Sequence, residues 1–263
     1  MTHRRFEDAV ALVTGGGSGI GRAIAVRLAS EGARVAVLGR HERSLGETVG
    51  EIAYQRGKAR HYVTDVRDPV ALEATVARVV SDWGPLRLVI ANAGVSERTP
   101  LVESDPEVVR AIVDTNLLGT FWTFRAVTPH LEVTAKGGAR LVAVTSVLGR
   151  FGVPGYSAYC AAKHGVVGLV RSLALELAPT GATVNALCPG WTDTPMADRG
   201  LAAIAAADAI TEREARKRAE SAQPQGRFAD PDELAHLAAF LCDPASRSIT
   251  AQVYTLDNGA TPF

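Results

Sequence analysis

The sequence predicts an α/β fold: a doubly wound, seven-stranded parallel sheet flanked by helices on both faces. Three observations carry this expectation. Short apolar runs alternate with longer helical patterns along all 263 residues. The runs are rich in Val, Leu and Ala and read apolar on both faces, which suits strands covered on both sides. No Pro/Ser linker and no internal repeat interrupts them. The alternation therefore reads as successive βαβ units in one domain spanning 1–263.

The first strand is expected at Val10–Thr14. It runs into Thr14-Gly15-Gly16-Gly17-Ser18-Gly19-Ile20-Gly21 and a helix over 19–31. Glycines there allow a tight turn and close backbone approach to a pyrophosphate. The helix N-terminus adds N–H donors and a partial positive charge. A plain glycine-rich turn is the alternative, and the flanking strand and helix favour the phosphate loop. The second strand, 34–38, ends in Gly39-Arg40-His41. NAD sites usually place a carboxylate here for the ribose hydroxyls. None is present, and Arg40 can instead pair with a 2′-phosphate. NADP(H) is therefore the preferred cofactor and NAD(H) the second choice. A solvated loop arginine is the other reading of Arg40.

The third strand, 59–63, leads to Asp65 and Val66, within reach of an adenine through a carboxylate or a backbone N–H. A helix follows over 69–83. The fourth strand, 86–91, leads to Asn92-Ala93-Gly94, where an amide and a glycine can lie close to a cofactor. Either piece alone is ordinary turn chemistry. Their placement after successive strands makes them informative.

A long helix is expected over 105–131, a fifth strand over 139–145, and then Ser146. The helix over 157–178 carries Tyr159-Cys160-Ala161-Ala162-Lys163. Residues four apart share a helix face. A free phenol titrates at about 10. A neighbouring ammonium lowers that value, which makes the tyrosine useful for moving a proton to or from an alcohol oxygen. Taken alone, the pair equally suits a surface helix. Ser146 can donate to a substrate carbonyl oxygen, or it can simply close a local turn. Tyr156 has Cys160 four residues on and so lacks a cation.

The sixth strand, 183–187, reaches Cys188-Pro189-Gly190. No strand is expected between 190 and 228. Its Ala-rich part, 201–210, and its charged part, 211–220, both look helical. The segment reads as a solvated helical excursion or as a substrate lid after the sixth strand. The lid is preferred because the segment starts at a strand's C-terminal end, where such sheets bind ligands. A helix over 231–241 and a seventh strand over 252–256 complete the pattern.

The bulk numbers agree. The chain is 47% hydrophobic and balances 28 acidic against 28 basic residues, so its charge argues for neither nucleic acid nor a membrane surface. A domain of this size buries roughly 75% of its unfolded surface. Three scattered cysteines build no disulfide framework, which points to a reducing, cytoplasmic compartment. No secretion signal or transmembrane run is read, and no metal site is expected.

Jointly, the pieces resemble the short-chain dehydrogenase/reductase family of about 250 residues, a Rossmann-type fold. The matching segments are TGGGSGIG at 14–21, TDV at 64–66, ANAG at 91–94, Asn116 in NLLGTF, Thr145-Ser146, YCAAK at 159–163 and PGWTDT at 189–194. The resemblance covers about 9–259. It implies a catalytic tetrad of Asn116, Ser146, Tyr159 and Lys163. Tyr159 would exchange the proton and Ser146 would polarise the carbonyl. Lys163 would lower the tyrosine pKa and bind the nicotinamide ribose. Asn116 would hold a helix irregularity and a relay water. It also implies cofactor contacts from Gly15, Ser18, Gly19, Ile20 and Gly21, and from Pro189, Gly190, Thr192 and Thr194 near the nicotinamide carboxamide. Ala91 and Thr192 depart from the common pattern without touching the chemistry.

Residues 137–197 look most like ketoreductases of 3-oxoacyl thioesters and polyketide chains. The stretch CPGWTDTPM is also similar to 3-hydroxybutyrate-type dehydrogenases. Ser96, Arg150, Phe151, Val153 and Trp191 are candidate substrate contacts, with ordinary loop packing as the alternative. Three functions are weighed: NADPH-dependent reduction of a 3-oxoacyl or polyketide-like carbonyl, NAD-dependent oxidation of a secondary alcohol or 3-hydroxyacyl compound, and a non-catalytic dinucleotide sensor. The intact tetrad disfavours the last. The expected partner is a small carbonyl or alcohol, including acyl thioesters. The resemblance implies a homotetramer or homodimer, with helices 105–131 and 157–178 as candidates for two-fold packing, and the tail 251–263, ending in apolar Pro262-Phe263, is a candidate to reach a neighbouring subunit.

Overall fold

The computed structural model describes residues 4–134 and 137–261; Pro262 and Phe263 lie outside them. Seven strands form one sheet: β1 (Val10–Thr14), β2 (Arg34–Gly39), β3 (Lys58–Val63), β4 (Leu88–Ala91), β5 (Arg140–Val144), β6 (Thr183–Pro189) and β7 (Val253–Leu256). Their order is β3-β2-β1-β4-β5-β6-β7, and every neighbouring pair is parallel. A two-residue hairpin arm, Val133–Thr134 against Gly137–Gly138, precedes β5 and is new relative to the sequence expectation.

Alternation within the strands builds a core on each face. Val10 and Leu12 of β1 join one cluster; Ala11 and Val13 join the other. The first cluster takes Leu72, Val76 and Val79 from α3 (Pro69–Trp83), Phe124 from α5 (Gly119–Val127) and Val166 and Val170 from α6 (Ser157–Leu177). The second takes Ile24 and Leu28 from α1 (Gly19–Ser30), Leu45 and Ile52 from α2 (Glu42–Tyr54) and Ala238 and Leu241 from α9 (Pro231–Cys242). β1 is therefore buried on both faces, as its unbroken apolar run requires.

Helix starts follow their caps. Asp68 accepts from the Val70 and Ala71 N–H groups, with Pro69 at the first turn of α3. Asp230 and Glu233 form a reciprocal capping box on α9. The expected helix 105–131 is interrupted. It divides into α4 (Pro106–Val113), a π turn at Asp114–Leu118, and α5, and ends in a 3₁₀ turn at Thr128–His130.

The 190–228 excursion contains α7 (Pro195–Asp208) and α8 (Glu212–Ser221). It has its own small core of Ala197, Leu201, Ala205, Ala215 and Phe228. Its ends are joined: Thr192 and Ala229 form a parallel bridge. Among the described residues no helix is long and apolar enough to cross a membrane.

Candidate active site

The strand order reverses between β1 and β4, and a crevice opens there at the C-terminal ends of the strands. Its floor is the turn after β1. Gly15 has φ +65° and Gly19 φ +51°, both in the left-handed region. At Gly21 the demand is space: a Cβ would lie 2.3 Å from Asn92 Nδ2 and 2.4 Å from the Gly15 carbonyl oxygen. Asn92 Nδ2 donates to the carbonyls of Thr14 and Gly15, each at 3.1 Å. Thr14 Oγ1 accepts from the N–H groups of Asn92 and Ala93, at 3.1 and 3.2 Å. The β1 and β4 turns are thus tied together. Ser18 opens α1 without a side-chain cap, which leaves the first N–H groups of that helix available.

Above this floor lies a cleft of about 580 Å³. One wall is Gly15, Ser18, Gly19 and Ile20. The far end is Arg40, Asp65 and Val66. The other wall is Asn92, Ala93, Gly94 and Ser96, and Thr194 closes it from the excursion. The lining also includes His41, Thr115, Met196 and Arg199, which sequence reasoning does not single out. Pro195, Met196 and Arg199 follow the Thr194 cap at helical spacing, and that spacing is the signal that would have found them.

Arg40 is exposed and has no ion pair among the described residues. Asp65 is engaged: Arg67 Nη2 reaches its Oδ2 at 2.6 Å. Burial raises the Asp65 pKa, but the Arg67 fork and nearby Arg40 outweigh it, and the net shift is downward. Its carboxylate is therefore committed to Arg67, and its backbone is the part left for a ligand.

Beside the cleft, four residues from three elements come together in the interior. Ser146 follows β5, and its Oγ accepts from the Leu148 N–H at 3.2 Å. The Ser146 side chain lies close enough to the Tyr159 phenol to lower its pKa. Lys163, one turn along α6, donates from Nζ to the Val144 carbonyl at 2.9 Å. Its Nζ sits 5.6 Å from the centre of the Tyr159 ring. Asn116 lies in the π turn. Its Nδ2 donates to the carbonyls of Val95 and Ile112 at 2.8 Å, and its Oδ1 accepts from the Val95 N–H at 3.2 Å. Gly94 lies among these groups: a Cβ there would stand 2.7 Å from Asn116 Oδ1 and 3.6 Å from Lys163 Nζ. Thr145 Oγ1 donates to the Lys163 carbonyl at 3.0 Å, which fixes α6 against β5.

The electrostatics differ from the sequence expectation. Burial pushes Tyr159 up to about 12, and the Ser146 side chain opposes this only in part. Burial pushes Lys163 down to about 8. The ammonium lies over the ring and points at a carbonyl, so desolvation governs the phenol. At neutral pH the pair is a neutral phenol beside an ammonium, the form suited to giving a proton.

The remaining candidates separate. Trp191 stacks on Phe228, with centroids 5.0 Å apart and planes at 12°. Arg216 covers the other part of that stack, 5.0 Å from the Phe228 centroid, and holds Asp193 at 3.0 Å. Trp191 thus packs within the excursion. Thr192 is buried, and its Oγ1 donates to the Gly190 carbonyl at 3.1 Å. Pro189 ends β6, and a Cβ on Gly190 would lie 2.7 Å from Asp257 Cβ. Phe151 and Val153 are half-buried in the loop before α6. Arg150 is not at the cleft. Its Nη1 donates to Thr255 Oγ1 on β7 at 2.6 Å, and it lines a separate groove with His164 and Arg171. It follows the 3₁₀ turn after Ser146, and its charge acts on Cys188. Cys188 lies beneath Ser146, and its thiol donates to the Ser146 carbonyl at 2.9 Å. Among the described residues no group of three His, Cys, Asp or Glu side chains could hold a metal.

Comparison with known proteins agrees with this geometry. Residues 15–261 match the family described as enoyl-(acyl carrier protein) reductase. A Streptomyces coelicolor protein assigned as a ketoacyl reductase is 38% identical over 253 residues, covering 96% of this chain and 97% of that one. The D-beta-hydroxybutyrate dehydrogenase of Cupriavidus necator is 35% identical over 250 residues, covering 95% and 96%. A solved structure of an actinorhodin polyketide ketoreductase variant with NADPH superposes with a TM-score of 0.92 at 37% identity, covering 100% of both chains.

Proposed function

Since this chain belongs to the short-chain dehydrogenase/reductase family, and is therefore an NAD(P)-dependent oxidoreductase of CH–OH groups, we propose that it reduces a 3-oxoacyl or polyketide-like ketone with NADPH. The observation that carries this reading is the buried cluster of Ser146, Tyr159 and Lys163, with Lys163 Nζ 5.6 Å from the Tyr159 ring centre and the Ser146 side chain near enough to lower the phenol's pKa. The relatives named as ketoacyl and polyketide ketoreductases support the substrate class.

The residues fit a dinucleotide. The left-handed glycines and the Gly21 approach form a cradle that any Cβ would fill. The open start of α1 suits a diphosphate. Arg40 would hold the 2′-phosphate, and Lys163 the nicotinamide ribose. The backbones of Val66 and Ala93 would flank the adenine side, and Thr192 and Thr194 the carboxamide. Bound there, nicotinamide supplies or accepts the hydride.

The chain's own groups handle the proton. Ser146 Oγ donates to the substrate carbonyl oxygen and draws charge onto it. Tyr159, a neutral phenol at neutral pH, gives its proton to that oxygen as the alcohol forms. The Lys163 ammonium stabilises the phenolate left behind. Asn116 holds the π turn and the Val95 backbone in place under Lys163. In the reverse direction each step runs backward.

The 190–228 segment is assigned as the substrate lid of a single domain. Exposed Leu118, Phe121 and Leu175, on the π turn, α5 and α6, support self-association into a dimer or tetramer. The assigned compartment is the cytoplasm. A second reading, NAD-dependent oxidation of a 3-hydroxyacid, is favoured by the D-beta-hydroxybutyrate dehydrogenase relative. A carbonyl and alcohol panel followed by nicotinamide absorbance with both cofactors separates the two. The expected result is ketone reduction with a higher kcat/KM for NADPH, shifted toward NADH by Arg40→Asp. A wild-type preference for NAD and 3-hydroxyacids would overturn the first reading.

A further inference from the structure

Two arginines line the cleft. Arg40 stands at its adenine end, and Arg199 lies on the excursion. Arg199 is one turn into α7, about 6 Å along the axis from Pro195. Pro195, Met196 and Arg199 share a helix face, and all three line the cleft. Helical side chains lean toward the N-terminus of their helix. Arg199 therefore leans back toward the Thr194 cap. That cap rests on the glycine turn: a Cβ on Gly19 would lie 3.0 Å from Thr194 Cγ2. The starts of α1 and α7 thus meet at one point, and Arg199 leans toward it.

The charge of Arg199 is uncommitted. Elsewhere in the excursion Arg216, Arg218 and Arg227 are held by Asp193, Asp208 and Glu233 respectively. Arg199 has neither ion pair nor hydrogen bond among the described residues, and it is exposed. The carboxylates of the cleft lining are Asp65, occupied by Arg67, and Glu97. A free cation and two helix starts converging on a left-handed glycine turn form a site for a doubly charged anion.

We infer that Arg199 clamps the diphosphate of the dinucleotide from the excursion side. The inference rests on the dinucleotide reading of the cleft. It assigns Arg40 and Arg199 to different phosphates, and that division is testable. The experiment titrates NADPH and NADH against the wild type, Arg199→Ala, Arg199→Lys and Arg40→Ala by nucleotide fluorescence, without carbonyl substrate. Arg199→Ala is expected to weaken both cofactors by the same factor, roughly tenfold for one exposed charge-assisted contact. Arg199→Lys should recover part of that loss, because a point charge remains. Arg40→Ala should weaken NADPH alone. Unchanged affinities in Arg199→Ala would overturn the clamp. So would a loss confined to NADPH, or a rise in the carbonyl KM with both affinities intact. Failure of the wild type to bind either nucleotide would instead overturn the dinucleotide reading itself.

Discussion

Replacing Lys163 with Met should abolish turnover and make protein stability respond differently to pH. Lys163 is 3% exposed, and burial drops its pKa from 10.5 to about 8. The folded value lies below the unfolded one. Between about 8 and 10.5 the unfolded chain therefore holds a proton that the folded chain has released, and stability rises with pH across that window. Below it both states are protonated, and the buried charge costs the fold roughly 3 kcal/mol. Methionine fills similar volume without a charge. It also leaves the Val144 carbonyl without its 2.9 Å donor, a loss of about 1–3 kcal/mol. At pH 7 these two terms nearly cancel, so the melting temperatures should be close. At pH 10 the wild type has regained roughly 2.5 kcal/mol that the variant never lost. The variant should then melt roughly 5–10 °C lower relative to the wild type than it does at pH 7. Titrating groups away from Lys163, such as Cys242, are common to both proteins and drop out of the difference. Thermal unfolding by circular dichroism at pH 7, 8.5 and 10, without nucleotide, measures this. A difference in melting temperature that does not change with pH would refute the desolvation argument.

Other outcomes follow from the same geometry. Tyr159→Phe removes only the proton donor, so kcat should fall by roughly 10³ while nucleotide affinity stays within about twofold; residual activity near a tenth of wild type would remove the phenol from the chemistry. Gly21→Ala places a methyl 2.4 Å from a backbone oxygen, which cannot give way cheaply. It should cost about 2 kcal/mol or more, read as a lower melting temperature with weakened nucleotide binding. Gly50→Ala, in α2 with nothing within 4 Å of the added carbon, should do the opposite and stabilise by roughly 0.5–1 kcal/mol. Equal melting temperatures for these two glycine variants would undo the packing reasoning at Gly21.

Much of this architecture is legible in the chain because buried parallel strands leave a strong signature. The run at β1 is apolar at nearly every position, and its edges match the structure. The glycine turn, Ser146 and Tyr159 are legible for a related reason, since each sits at a strand end or helix start that the pattern already locates. What escapes is set by distance or by small slips of geometry. α2 carries Gly46 and Gly50 in its interior, which weakens its helical pattern. The π turn at Asp114–Leu118 hides because one widened turn barely disturbs the apolar period across α4 and α5. The Arg150 bond to Thr255, 105 positions away, is not visible from local sequence. Trp191 looks like a pocket residue until Phe228, 37 positions later, stacks on it. The titration of Tyr159 depends on where the ammonium sits over the ring, which spacing alone does not specify.

The bridge between Thr192 and Ala229 has an evolutionary consequence. Because the two ends of the intervening chain are stitched side by side and the segment has its own hydrophobic centre, the sheet is insulated from its length and content. Such a cassette can be lengthened, shortened or exchanged at little cost to the scaffold, since closing a loop depends only weakly on its size. On the lid role proposed for this segment, its substrate-facing residues can change while Thr194 and Arg199 keep their place at the cleft.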